Sequence, residues 1–299
     1  MRHSVLLVGA SLSALVISSS FVRADGYDRG YVGPAPNYII RSNNQLSIDF
    51  ATSARIDYAE RDPNHIFAVL DSETGNWIPG VSVTGSWMGT FYGVHPYAWG
   101  RYTWIDGTTD YTAAAGPVTK NTDGARIQDG DFRLGLGFDF ASNIMLTPYA
   151  GIGWHQWGRN LSGPFGYHED YSNGYAGGGL LLQVAPVSHL VLSANGLVGS
   201  TFDASMTASQ TINPVLPFSS LSAFHLGSTT IEMVGGSADY AVTSLVHVNA
   251  SVDYTHFGYG QSPPQAFGIL EPTSRTSNLT VRVGFGFAFG GDSDYLPLK

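Results

Sequence analysis

The sequence predicts an all-β protein, a closed antiparallel up-and-down transmembrane β-barrel of ten strands, with eight or twelve strands as alternatives. Ten segments alternate apolar and polar residues, as strands do when successive side chains point to opposite faces of a sheet. Long polar connections alternate strictly with very short ones, which is the arrangement of outer-membrane barrels. If such a sheet closes on itself, its outside is apolar and its inside is polar.

The first segment shows the alternation most clearly. Leu46 lies on its apolar face and Asp49 on its polar face. Continued without interruption, the same period assigns Tyr58 to the apolar face and Arg55 and Asp57 to the polar face. The ten predicted strands are, in order, Gln45–Ala59, Trp77–Tyr92, Tyr97–Tyr111, Asp131–Phe140, Ile144–Arg159, Asn173–Ala185, His189–Phe202, Ser228–Val242, Leu245–Tyr259 and Asn278–Phe289.

A soluble β-barrel or sandwich is the alternative, and it has a polar outside and an apolar inside. The smaller face of the segments is mostly Gly, Ser, Thr and charged residues, unlike a packed core. The segments exceed the ~5–6 residues usual in globular sheets and suit a tilted membrane crossing. Aromatic residues also lie near segment ends, as in the girdles of outer-membrane barrels: Tyr58, Trp104, Tyr149, Trp154, Tyr240, Tyr254 and Phe289.

Four regions follow along the chain. Residues 1–24 resemble a secretory signal peptide, with Arg2 before the apolar run Val5–Val16 and a cleavage site at Ala24. That run is shorter than the ~20 residues that span a bilayer, which argues against a membrane anchor. The remaining regions are a predicted periplasmic lead-in at residues 25–44, the transmembrane barrel at 45–289 and a periplasmic tail at 290–299.

Charge and cysteine content narrow the class of protein. The chain has 14 Lys and Arg against 23 Asp and Glu, a formal net charge of −9, so we expect no nucleic-acid partner. It has no cysteine, which excludes disulfides, cysteine metal sites and a cysteine nucleophile. We expect the outer membrane of a Gram-negative bacterium, with both termini periplasmic.

The polar faces together predict a lumen filled by ion pairs. Unpaired buried charges are costly, and the planar guanidinium of Arg binds carboxylates through two hydrogen bonds. About eight strands are just filled by side chains, whereas open channels need about sixteen. A narrow gated pore is the alternative, with Arg and Asp on opposite walls. The predicted network consists of Asp49, Arg55, Asp57, Arg101, Arg133, Asp139, Arg159, Asp239, Asp253 and Arg282.

A catalytic site would need a nucleophile or activated water, a base and an orienting acid near the outer rim. Polar residues at predicted strand ends offer such groups, but ordinary rim polarity produces the same set. The histidines show no metal-ligand spacing. We therefore expect no enzyme activity, no cofactor and no metal, with an outer-membrane hydrolase directed at lipid or peptide as an alternative. The candidate residues for that alternative are Asp106, Asp110, His155, Arg159, His168, Glu169, Asp170, Asp253 and His256.

Several stretches resemble the bacterial outer-membrane barrel superfamily of OmpA-like and opacity-like proteins. They are Asp131–Phe140, Leu146–Trp154 with its Leu-Thr-Pro-Tyr-Ala-Gly sequence, Trp157–Arg159, Leu70–Gly75, Ile78–Gly80 and Glu169–Ser172. The resemblance implies a surface-exposed barrel with a structural or ligand-binding role rather than one activity. The omptin proteases share the length and the ten strands, but their paired acids and their Asp-x-His are not found at matching rim positions. Asp253–His256 has a different spacing.

The predicted function is therefore that of an outer-membrane barrel with a structural or surface ligand-binding role and with specificity in its external loops. We expect a monomer. The expected partners are outer-membrane lipid, lipopolysaccharide and the outer-membrane assembly machinery. That machinery recognises a terminal aromatic residue in such barrels, here Phe289, although residues 290–299 follow it.

Overall fold

The computed structural model describes residues 38–61, 71–113, 119–161, 167–210, 223–265 and 269–289. The predicted signal peptide, most of the lead-in and the tail lie outside these residues. The elements are one helix, α1 (Tyr38–Ser42), and the strands β1 (Gln45–Glu60), β2 (Asp71–Gly75), β3 (Ile78–Met88), β4 (His95–Ala113), β5 (Thr119–Ala141), β6 (Ile144–Leu161), β7 (Tyr167–Val187), β8 (Leu190–Gln210), β9 (Phe224–His225), β10 (Thr230–Ala241), β11 (Val246–Tyr259) and β12 (Ser274–Ala288).

Ten of these strands close an antiparallel ring, which confirms the predicted fold class. Each strand pairs with the next, β8 pairs with β10, and β12 returns to pair with β1. The short strands β2 and β9 stand outside this count, and β2 pairs with β1 and β4 beyond the end of β3. Closure leaves no sheet edge, so backbone groups are satisfied within the wall, as lipid requires.

The two ends of the barrel differ. At the turn end, short connections join β3 to β4, β5 to β6, β7 to β8 and β10 to β11. At the loop end, the strands lead into the longer connections, much of which lies outside the described residues. Gln45 pairs with Ala288, so the ring both begins and finishes at the turn end.

An apolar belt surrounds the turn-end part of the wall. On β5 it runs from Phe132 through Leu134 and Leu136 to Phe140, all exposed, over nine residues, which is the length of one tilted crossing. Exposed aromatic residues border the belt on both sides, as in outer-membrane barrels. The loop-end girdle comprises Trp77, Tyr102, Trp104, Trp154, Phe202 and Tyr254, and the turn-end girdle Trp87, Phe91, Tyr92, Phe140, Tyr240 and Phe289.

Beyond the loop-end girdle, the polarity of the wall inverts. On β4, exposed Tyr102 and Trp104 are followed on the same face by Asp106, while buried Thr103 is followed inside by Ile105. The loop-end part therefore has a polar exterior, and its interior contains large apolar side chains that the belt carries on its outside. Individual strands run through both parts without a break. The longest, β5, has 23 residues.

This inversion explains where the predicted strand limits are wrong. Thr112–Asp129 and Asn160–Ser172 were predicted as polar loops, whereas the structure extends β4, β5, β6 and β7 through most of them. Their outward residues are polar because they lie beyond the belt. A pattern of apolar residues outside and polar residues inside therefore ends at the girdle, although the strand does not.

A β-bulge moves two predicted lumen residues to the outside. The register of β1 against β12 shifts between Ser53 and Arg55, which exchanges the faces of every later residue. Arg55 and Asp57 consequently pair with each other at 2.6 Å on the exterior, with side chains 65% and 40% exposed. Tyr58, predicted outside, is buried in the interior at 2% exposure. The prediction for these residues was wrong because the sequence carries no sign of the extra residue.

The helix α1 lies across the turn end of the interior. Its Ile39 is buried, and Asn43 just beyond it donates to Gln183 Oε1 of β7 at 2.7 Å. Arg41 donates to the backbone carbonyl of Ser244 in the turn between β10 and β11. Among the described residues, no helix is long and apolar enough to cross a membrane.

Candidate functional site

The belt cluster, formed by Arg101, Asp131, Asp253 and Arg282, joins four strands across the interior at the level of the apolar belt. Asp253 Oδ2 accepts hydrogen bonds from Arg282 Nη1 at 2.6 Å and from Arg101 Nη1 at 2.8 Å. Arg101 Nη2 lies 3.4 Å from Asp131 Oδ2, and the Tyr175 hydroxyl also donates to Asp131. Two cations balance two anions here, so the buried charges compensate one another.

Arg133 is held by neutral and aromatic groups instead. Its Nη1 donates to Asn195 Oδ1 at 3.2 Å, and its guanidinium carbon lies 4.2 Å from the centre of the Trp99 ring and 5.1 Å from that of Tyr149. Arg133 borders a polar cavity of about 130 Å³ that extends from the belt cluster to Asn43. A polar cavity of this size has room for ordered water.

Three further predicted aspartates lie apart from the belt cluster's ion pairs. Asp49 is buried at 5% exposure. Asp239 Oδ1 lies 2.7 Å from His247 Nδ1. Asp139 lies at the turn end with its side chain 49% exposed, 3.0 Å from His95 Nε2. The predicted lumen residues thus form several separate pairs and clusters rather than one network.

The loop-end cluster consists of Arg159 and five carboxylates from β1, β2, β5 and β7. Arg159 is fully buried. Its Nε donates to Glu73, its Nη1 donates to Glu169 Oε2 at 2.6 Å, and its Nη2 donates to Asp71 Oδ2 at 3.4 Å. Two further carboxylate oxygens lie at the edge of contact, Asp123 Oδ2 at 3.9 Å and Glu60 Oε1 at 4.0 Å.

The aromatic layer, formed by Tyr58, Trp157, Tyr171, Phe257 and Tyr259, packs across the interior beside this cluster. All five side chains are no more than 3% exposed. The ring centres of Tyr58 and Trp157 lie 4.9 Å apart, and those of Tyr171 and Tyr259 lie 5.2 Å apart. The Arg159 guanidinium carbon is 4.7 Å from the Tyr58 ring centre, a favourable cation–π distance. Together the rings and the guanidinium fill the interior at this level.

Hydroxyl groups connect the aromatic layer to the acids. Tyr58 donates to Glu60 Oε1 at 2.8 Å, and Tyr171 donates to Glu271 Oε1 at 2.6 Å. The two hydroxyl oxygens lie 3.2 Å apart. Glu271 is therefore a sixth carboxylate coupled to the loop-end cluster, although it does not contact Arg159.

Burial and mutual repulsion raise the pKa of several of these acids, Glu60, Asp71 and Glu169 among them. Burial raises the pKa of Asp123 to about 8, with neighbouring Glu73 adding to the effect. Burial and then the charge of Glu169 raise the pKa of Glu271 to about 8. Burial opposes the charge of Arg159, but Glu169 and Glu73 outweigh it and hold its pKa well above the usual value. A single cation thus cannot keep every acid of the cluster ionised near neutral pH.

Apart from Glu169, which was a candidate for the hydrolase alternative, the acids of the loop-end cluster were missed from the sequence because they fall in stretches predicted as loops. One signal was present in their spacing: Asp71 and Glu73 are two residues apart, and Asp123 precedes Ala125 and Ile127 at the same interval. This period places all of them on the inner face of a strand.

The residues considered for a hydrolase are dispersed. His155 Nδ1 lies 2.5 Å from Asp129 in the interior, whereas the pairs His168–Asp170 and Arg126–Asp106 are exposed. His256 Nδ1 lies 2.8 Å from Ser277 Oγ on the outer wall. Within the part of the chain that the structure describes, no group of three or more His, Asp or Glu residues is arranged to hold a metal ion.

Solved structures place this architecture among bacterial outer-membrane barrels. The outer membrane protease OmpT from Escherichia coli has a TM-score of 0.55 at 11% identity, with 83% of this chain and 97% of that chain covered. The Pseudomonas putida toluene transporter TodX (TM-score 0.33, 12% identity, 87% and 94% covered) and the translocator domain of the Neisseria meningitidis autotransporter NalP (0.39, 12%, 82% and 88%) are more distant.

These similarities show the fold and no particular activity. No protein-family model matches the chain, and no curated protein matches it. The narrower likeness to OmpA-like and opacity-like proteins therefore remains a resemblance. The chain has the fold of an outer-membrane β-barrel.

Replacing Arg159 by Met should destabilise the barrel strongly. The substitution keeps most of the side-chain volume but leaves buried carboxylates without their cation, which costs about 3–5 kcal/mol. Urea titration in lipid vesicles measures the loss. Arg126→Met is the matched control, because its ion pair with Asp106 is exposed on the same part of the barrel and is worth about 0–1 kcal/mol. Equal losses in both variants would contradict the role assigned to Arg159.

Stability should fall as the pH rises from about 4 to 8. Raised pKa values mean that the folded cluster binds more protons than the unfolded chain in this window, so folding is favoured most below the ordinary carboxyl range. Asp123→Asn should flatten the decline and raise the free energy of unfolding at pH 8 by about 1–3 kcal/mol, and with it the urea midpoint, because a neutral amide replaces an acid that must ionise. Asp110→Asn, on the exterior of β4, should leave the pH dependence unchanged. Parallel pH profiles for all three proteins would exclude this cluster as the cause.

Proposed function

We propose that this protein is a closed, non-conducting outer-membrane barrel that presents its loop end outside the cell, with a structural or surface ligand-binding role. The single observation that carries the proposal is the filled interior at the loop end. Arg159, Glu73, Trp157 and Tyr259 have no exposed surface. An ion or solute on the barrel axis would have to displace this layer.

The orientation rests on the two ends of the ring. Outer-membrane barrels have short turns towards the periplasm and long loops towards the outside. The present turn end holds the short connections, α1 and the β1–β12 terminus of the ring. Strands that extend beyond the belt would then lift the external loops above the membrane surface, where binding residues concentrate.

The proposed partners follow from this position. The belt would contact the acyl chains of the membrane, and the wall just beyond the loop-end girdle would face the lipopolysaccharide headgroups. Delivery of such a barrel requires the outer-membrane assembly machinery. We propose a monomer, because the ten-strand ring closes within one chain.

The refolded protein should give no discrete conductance steps in planar bilayers at neutral pH. The belt cavity of about 130 Å³ beside Arg133 is the feature that favours the alternative of a narrow pore, because it is polar and lies within the belt. Discrete steps in the wild type whose size or ion selectivity changed with Arg133→Ala or Arg282→Ala would establish that alternative instead.

Labelling of intact cells tests the orientation, and the absence of cysteine makes any introduced thiol unique. Thr108→Cys places it on the exterior of β4 at the loop end, and Ser142→Cys places it in the turn between β5 and β6. A membrane-impermeant maleimide should label the first variant in intact cells and the second only after the outer membrane is permeabilised. The reverse pattern would invert the proposed orientation.

A further inference from the structure

A row of polar residues crosses three strands on the outer wall, just beyond the loop-end girdle. Glu232 on β10 pairs in register with His256 on β11, and His256 pairs with Ser277 on β12. His256 Nδ1 lies 2.8 Å from Ser277 Oγ. The hydroxyl of Tyr254, a member of the girdle, donates to the same Ser277 Oγ at 3.2 Å. This outer-wall row is unconnected to the interior clusters.

The row contains the groups that acyl transfer needs. A serine hydroxyl becomes a nucleophile when an adjacent imidazole accepts its proton, and a third group usually orients that imidazole. Directly opposed residues on antiparallel strands have Cβ atoms about 4.5–5.5 Å apart, so the register brings the side chain of Glu232 beside that of His256. Tyr254 supplies a hydroxyl donor beside Ser277, where a carbonyl oxygen would develop charge.

The position of the row selects the substrate. Aromatic girdles lie at the headgroup level of a bilayer, and Tyr254 belongs to the loop-end girdle with an exposed fraction of 41%. His256 follows Tyr254 by two residues on β11 and lies further from the belt, and Ser277 lies opposite His256 on β12. The acyl ester bonds of membrane lipids occupy this boundary between hydrocarbon and headgroup, so a lipid ester can meet Ser277 without leaving the membrane.

An apolar groove leads away from the row down the lipid-facing wall. Its volume is about 580 Å³, and Glu232 and Tyr254 border it together with Leu180, Val198 and Val234. Volumes of ~300–1,000 Å³ are typical of small-molecule sites. Glycine creates the space, because a Cβ built on Gly178 meets no atom within 4 Å. An acyl chain is the occupant that suits a groove open to the hydrocarbon and ending at polar groups.

We propose that the outer-wall row is a lipid acyl hydrolase site, with Ser277 as nucleophile, His256 as general base, Tyr254 as a donor to the carbonyl oxygen, Glu232 as a positioning residue and the groove as the acyl-chain site. The proposal goes beyond the structural role above and does not depend on whether the interior is closed.

The reaction runs in two balanced halves. Ser277 Oγ adds to the ester carbonyl carbon while its proton passes to His256. The bond to the leaving alcohol breaks, the alcohol oxygen takes that proton, and an acyl-serine remains. Water then adds to the acyl-serine with His256 again accepting a proton, which returns to Ser277 Oγ as the fatty acid leaves. The net change is one ester and one water converted to one acid and one alcohol, with no oxidant or metal.

The test uses the full chain refolded in vesicles of glycerophospholipid and, separately, with purified lipid A, and it measures released fatty acid. A fluorophosphonate probe followed by mass spectrometry identifies the reactive serine. We expect fatty acid release and labelling of Ser277. Ser277→Ala should abolish both, and His256→Asn should lower both about 10²–10⁴-fold. Release from only one of the two lipids would identify the ester source.

Three variants separate the parts of the site. Gly178→Leu should fill the groove and reduce hydrolysis of p-nitrophenyl palmitate more than that of the butyrate ester. Glu232→Gln should lower kcat for ester hydrolysis more than it changes KM, because the amide orients the imidazole of His256 less well than the carboxylate. His225→Asn, an exposed histidine on β9, is the matched control and should behave as the wild type.

Heat-modifiable migration on SDS gels verifies that each variant is folded. The proposal is overturned if the folded wild type releases no fatty acid from either lipid and leaves Ser277 unlabelled. It is equally overturned if folded Ser277→Ala retains the wild-type rate. In either case the hydrogen bond between His256 and Ser277 only joins two strands.

Discussion

Each strand of this ring crosses from lipid into water, and this constraint determines the rest of the structure. The wall must be apolar outside along the belt and polar outside beyond it, because each surface has to match its solvent. Because successive residues point to opposite faces, the residues between the outward-facing ones point into the interior. Within the belt these are the charges of the belt cluster, and beyond it they are the rings of the aromatic layer. One continuous hydrogen-bonded sheet therefore encloses two different interiors, one with balanced ion pairs and one with packed rings beside an acid-rich cluster.

The two interiors are stabilised by different physics. The belt cluster gains little from hydrophobic burial, and its order comes from hydrogen bonds between guanidinium groups and carboxylates on facing strands. The loop-end interior gains from packing of large rings, and it includes Arg159 because a guanidinium can stack on rings while it binds carboxylates. The excess of acids around Arg159 makes this layer sensitive to protonation. The filled interior leaves the outer wall and the loop end as the surfaces where chemistry with other molecules can occur.

The sequence predicts the part of the fold that alternation controls. Ten strands, their order and the apolar belt follow from a period of two with apolar residues outward, and Phe132–Phe140 shows this without exception. The pattern assigns residues wrongly where the strand contains an extra residue and where its outer face no longer meets lipid. The bulge after Ser53 adds one residue, so Arg55 and Asp57 exchange faces with Tyr58. Beyond the girdle the outward residues become polar, so the strand that contains Asp123 resembles a loop.

The candidate site was predictable only in part for the same reason. Arg101, Asp253 and Arg282 lie in the belt, where the polar face of a strand is the inner face, and they meet there. The acids around Arg159 lie in the inverted part, and their convergence depends on strand pairing across β1, β2, β5 and β7, which no local pattern specifies. His256 and Ser277 are 21 residues apart in sequence, and only the register of β11 against β12 places them side by side.

The pairing of β12 with β1 gives the chain an all-or-none character during assembly. Every strand before β12 can pair with its predecessor as it is delivered, but β1 keeps an open edge until Ser274–Ala288 arrives at the other side of the ring. Until that moment two rows of backbone groups have no partner, and lipid cannot supply one. A nascent chain that lacks only its last strand is therefore as incompatible with the bilayer interior as one that lacks several. Only a chain that includes the fifteen residues of β12 can close the ring.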